Sequence, residues 1–100
     1  MAIGLVMTFR GVTQEHYEAA MGPRGLDLRS PQNPEAGADW PEGIIAHVAG
    51  ATIAGWCMVE VWESQDHFAR FRESRLAPAL EQAGIPEPNV IPFEVYNTHI

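Results

Sequence analysis

One hundred residues make one domain of common size with a modest core, and 46% hydrophobic residues exclude a disordered chain. A formal net charge of -7, spread along the chain without an acidic tail, excludes polyanions as natural partners, so no nucleic acid is expected. The single cysteine, Cys57, forbids an intrachain disulfide, and no apolar run reaches the roughly 18 residues of a membrane helix. The expectation is one domain over residues 1–100, cytoplasmic and independent of membranes.

Ile3 to Arg10 alternates two rows that are both largely apolar, which predicts a strand central in its sheet rather than a secretion signal. Gly11 ends it. Thr13 then caps a short helix over Gln14 to Met21, with Glu15 near its positive end and Tyr17, Ala20 and Met21 facing inward. Gly22-Pro23 stops that helix. Residues 24–42 hold three prolines, two glycines and few large apolar side chains, so they read as a long loop, with Trp40 among the material it has to pack.

Gly43 to Ala49 predicts a second strand, with Ile44, Ala46 and Val48 on one face and Ile45, His47 and Ala49 on the other. Gly50 to Gly55 turns the chain back, making a hairpin with the next strand. In that strand Cys57, Val59 and Val61 alternate with Trp56, Met58, Glu60 and Trp62. One row is small and apolar. The other mixes two indoles, a thioether and a carboxylate. With the turn centred on Thr52-Ile53, His47 lies opposite Met58 and shares a face with Trp56, Glu60 and Trp62; a slip of one residue in pairing would send it to the other face.

Ser64 caps a second helix with Phe68, Phe71, Leu76 and Leu80 inward. Pro78 predicts a break near Ala77 and a new helical turn beyond it, ended by Gly84. Asn89 to His99 is a last strand, and Pro92 within it points to a sheet edge or a bulge. The order strand, helix, strand, strand, helix, strand is the split βαβ, or ferredoxin-like, arrangement: an α+β fold with a four-stranded antiparallel sheet and helices on one face. Two helices leave the other sheet face bare. That face is too apolar to stay wet, so a twofold homodimer is expected.

The inward ionisable groups mark the candidate site. His47 is the expected general base, with Glu60 to orient it. A carboxylate in an inward row costs several kcal/mol if unpaired, so Glu60 needs a partner, with Arg10 and His47 in reach. Trp56, Trp62 and Phe71 would line an apolar pocket and stack on a flat ligand, to which Tyr17 could offer its hydroxyl. Tyr96 and His99 lie near the end of the chain and could reach a partner subunit. His16 and His67 sit in first helical turns beside acidic residues and read as solvated. No His-x-x-x-His, no cysteine pair and no Gly-rich phosphate loop occurs, so neither metal nor cofactor is expected.

The stretch VEVWESQDHFARF, with Glu60, Trp62, the polar turn Glu63-Ser64 and Phe68, resembles the strand–helix segment of the dimeric α/β-barrel superfamily, in particular its antibiotic-biosynthesis-monooxygenase-like proteins. His47 and the Pro78-Ala79-Leu80 element fit small relatives of that group. The resemblance implies two sheets closing a barrel around pockets for small, often aromatic or polyketide-like molecules, with cofactor-free oxygenases, isomerases and cyclases among its members. One position departs. The pattern often places a His on the second helix near Phe71, and a phenyl ring cannot transfer a proton. Two functions follow: a cofactor-independent enzyme in which His47 takes a proton, or a non-catalytic homodimer in which His47 and Glu60 satisfy one another.

Overall fold

The computed structural model describes residues 1–21 and 41–98, with backbone alone at Met21. Most of the proline-rich stretch 24–42, including Trp40, falls outside the described residues, as does His99. The elements are β1 (Ile3–Arg10), α1 (Gln14–Met21), β2 (Ile44–Thr52), β3 (Gly55–Trp62), α2 (Gln65–Phe71), a π-helical segment (Arg72–Leu76), α3 (Ala77–Gln82) and β4 (Asn89–Glu94). The sheet order is β2-β3-β1-β4 with antiparallel pairing throughout. This is the ferredoxin-like arrangement, with β1 central and the proline-bearing β4 at the edge.

Thr13 and His16 cap α1 reciprocally. The His16 amide donates to Thr13 Oγ1, and the Thr13 amide donates to His16 Nδ1. Ser64 does the same work for α2, its Oγ accepting from the His67 amide. His16 and His67 therefore have local structural roles.

Three expected boundaries are corrected. The hairpin pairs as far as Thr52 with Gly55, so β2 runs three residues past Ala49 and the turn is Ile53-Ala54. A new α-helical segment does begin at Ala77 with Pro78 in its first turn, but no break precedes it. The backbone stays right-handed helical from Phe71 through Ala77, and the Ala77 amide bonds to the Arg72 carbonyl five residues back. Widening the turn to π spacing before the proline absorbs its missing donor and relieves the ring's clash with the preceding turn. The last strand stops at Glu94, five residues short of His99; beyond it the Val95 amide reaches the Ala2 carbonyl, and Tyr96 is 98% exposed.

Leu5, Met7 and Phe9 of β1, the inner row of β3, and Phe68, Phe71, Leu76 and Leu80 of the helices form the core. The opposite sheet face carries Val6, Val48, Val59, Val61, Ile91 and Phe93. Val48 is 65% exposed and Ile91 53%. Phe93 lies flat across Gly4, where any side chain would collide with its ring. Among the described residues no helix is long and apolar enough to cross a membrane.

Candidate functional site: a buried Glu–His–Tyr array

Glu60 is the one charged side chain fully buried among the described residues, at 2% exposure. Strand alternation puts it in the inner row of β3, between Met58 and Trp62. Its neighbours explain how it survives there. His47 pairs with it directly across the β2–β3 ladder, so both side chains leave adjacent backbones on one face. His47 Nδ1 lies 2.7 Å from Glu60 Oε2. Trp62, two residues along the same face, donates its Nε1–H to Oε1 at 3.1 Å. Each carboxylate oxygen thus has a donor.

The array continues outward. His47 Nε2 is 2.9 Å from the Tyr17 hydroxyl on α1. A carboxylate can only accept, so hydrogen-bond logic assigns the imidazole proton to Nδ1 and makes Nε2 the acceptor of the phenol proton. Tyr17 also packs on Trp56, with ring centroids 5.0 Å apart, and lies nearly parallel to the imidazole at 6.5 Å. Burial first, and then the negative charge of Glu60, push the Tyr17 hydroxyl up to about 12. Three elements, α1, β2 and β3, meet in this chain of contacts.

Such an array can move a proton without forming a free phenolate. A proton arriving at the Tyr17 oxygen releases the phenol's own proton to His47 Nε2. The positive charge then rests on an imidazolium already facing the Glu60 carboxylate. Both His47 nitrogens are engaged, so any exchange with a ligand passes through Tyr17.

Trp56 differs from Trp62. It is 7% exposed, yet its Nε1–H has no acceptor among the described residues. A buried donor left so costs about 1–3 kcal/mol. Trp62 is completely buried between Phe68 and Phe71, with centroids 5.8 and 5.1 Å away. Phe71 therefore stands behind Trp62 and also walls a 180 Å³ hollow with Pro41, His67 and Arg70.

Three further cavities among the described residues bear on access. One of about 350 Å³ lies between the α2–α3 run and the β1–β4 pair, lined by Met7, Phe68, Arg72, Leu76 and Val90, and does not reach His47 or Glu60. A cleft of about 700 Å³ opens at the hairpin end, lined by Arg10, Thr52, Trp56 and Asn89 among others. A void of about 10 Å³, room for one water at most, touches Tyr17, Trp56, Phe9 and Met58. No group of three or more metal-ligating side chains converges among the described residues.

The sequence-expected pair His47 and Glu60 is thus together, and Tyr17 joins it. Of the two partners foreseen for Glu60, His47 holds the carboxylate. The role of Trp62 as a donor was not read from the sequence. Its i, i+2 spacing from Glu60 on a strand was the available signal.

No protein-family model and no curated protein sequence matches the chain. Solved structures share its fold, among them the following two. A protein of Chloroflexus aurantiacus J-10-fl, named as a candidate antibiotic biosynthesis monooxygenase, superposes with a TM-score of 0.65 at 15% identity, over 99% of this chain and 97% of that one. One of Deinococcus radiodurans, named likewise, superposes with a TM-score of 0.52 at 10% identity, over 100% and 97%. The ferredoxin-like fold of the antibiotic-biosynthesis-monooxygenase-like proteins is therefore the fold of this chain.

Proposed function

We propose that the chain is a homodimeric small-molecule protein that moves protons on an enolisable aromatic or polyketide-like compound, without a cofactor. The observation that carries this reading is the continuous Tyr17–His47–Glu60 hydrogen-bond chain; in this reading Tyr17 is the group that meets the ligand. A monooxygenase, an isomerase and a cyclase of this type would all start by drawing a proton from carbon or oxygen, and the array supplies that step. The fold's kinship with candidate monooxygenases supports the class; the chemistry rests on the array. His47 acts through Tyr17 in this reading.

The test uses 1-tetralone, a flat ketone with exchangeable hydrogens next to its carbonyl. In D2O, wild-type protein should accelerate deuterium entry at that carbon, and Tyr17→Phe should lose at least tenfold of the acceleration. Equal rates for the two proteins would remove Tyr17 and the array from the chemistry. Oxygen uptake measured alongside separates oxygenase turnover from isomerisation.

One observation favours a second reading. Both His47 nitrogens are satisfied and the space beside Tyr17 is about 10 Å³, which suits a non-catalytic domain whose array only ties α1 to the sheet. In that case Tyr17→Phe changes stability and no exchange.

A further inference from the structure

Phe9 and Trp56 face each other across the β1–β3 ladder, and both wall two spaces. On one side is the open cleft at the hairpin end. On the other is the small void that touches Tyr17. This cross-strand pair is the partition between solvent and the array. Its Trp56 half has a buried indole N–H with no acceptor among the described residues.

The cleft has its own charge. Arg10 lines it, is exposed, and takes part in none of the ion pairs formed among the described residues. The acid in the same wall, Glu87, is already engaged by Arg72 at 3.4 Å. In a chain of net charge -7, Arg10 makes this mouth locally receptive to an anion. A guanidinium presents a planar fork that matches a carboxylate.

We propose that the hairpin-end cleft is the mouth of the Tyr17 site and admits a flat carbonyl compound bearing a carboxylate, with Arg10 binding the carboxylate and Trp56 Nε1–H donating to the carbonyl oxygen. The inference rests on the proton-transfer reading for its purpose, though not for its binding. An indole that lacks an acceptor gains one from the ligand. Rotation of Trp56 into the cleft joins the two spaces and brings the ligand against Tyr17.

The experiment compares 6-carboxy-1-tetralone with uncharged 1-tetralone, using tryptophan fluorescence for binding and deuterium entry for exchange. Arg10→Ala, a surface change that leaves the core intact, should weaken the carboxylate at least tenfold and the neutral ketone less than twofold. Arg10→Lys should fall between. Trp56→Phe, checked for folding by circular dichroism, should weaken both ketones severalfold. Equal affinity of wild type and Arg10→Ala for the carboxylate, or no saturable binding by wild type, overturns the proposal. Arg10-dependent binding without exchange keeps the cleft and removes the proton-transfer reading. Exchange lost in Tyr17→Phe but indifferent to Arg10 does the reverse.

Discussion

At residue scale the burial of Glu60 sets the terms. His47→Ala would leave a 2%-exposed carboxylate with Trp62 as its remaining partner, a loss of about 3 kcal/mol or more. Urea unfolding measures it. Tyr17→Phe removes one hydrogen bond and no volume to speak of, so about 1 kcal/mol is expected. That asymmetry makes Tyr17→Phe the cleaner probe of chemistry. Tyr17 also predicts a pH effect. Its hydroxyl is raised above the unfolded value of 10, so the neutral phenol is the form the fold favours. The stability this gives is fully present below pH 10 and is lost as pH rises toward 12. A phenolate absorbance step near pH 12 should vanish in Tyr17→Phe, along with the steep alkaline limb of its stability curve. A step at pH 10 in the difference between wild type and Tyr17→Phe, which cancels the exposed Tyr96, would contradict the buried placement.

At the scale of elements, the periods of two and of three to four were enough to read strand and helix order. Parity protected the site. The true hairpin pairs His47 with Glu60 rather than Met58, a shift of two along β3, and an even shift keeps every side chain on its face. A bulge at Ile45 then moves Ile44 to the face of His47, opposite Trp62, against the expected alternation. No residue type there announces it. The π segment was equally hidden, because Pro78 reads as a helix break unless the preceding turn can widen. Tyr17 joins His47 only when α1 lies over the sheet, a long-range fact that no local pattern holds. The end of α3 was legible. Gly84 sits at φ +69, its amide bonded to the Glu81 carbonyl and the Ile85 amide to that of Leu80. Gly84→Ala should cost about 1–2 kcal/mol in thermal unfolding, since the site has space but the wrong backbone region for a side chain. An unchanged melting temperature would refute that.

At the scale of the molecule, the bare sheet face is what supports the proposed dimer. Val48, Ile91 and Phe93 stand exposed beside Val6, Val59 and Val61, a single apolar surface on a chain of net charge -7. A twofold pairing through this face leaves each array on its own helix-covered side. Val48→Glu should shift light scattering from dimer mass to monomer mass at micromolar concentration while circular dichroism stays unchanged. A wild-type monomer at the same concentration would rule the dimer out.

Long-range proton–nitrogen NMR on the imidazole of His47 tests the proton chain itself. Near neutral pH, Nδ1 should carry the hydrogen and Nε2 should accept, and Tyr17→Phe should move the Nε2 resonance while Nδ1 holds. A hydrogen on Nε2 alone, or a spectrum blind to the loss of the phenol, would contradict the array.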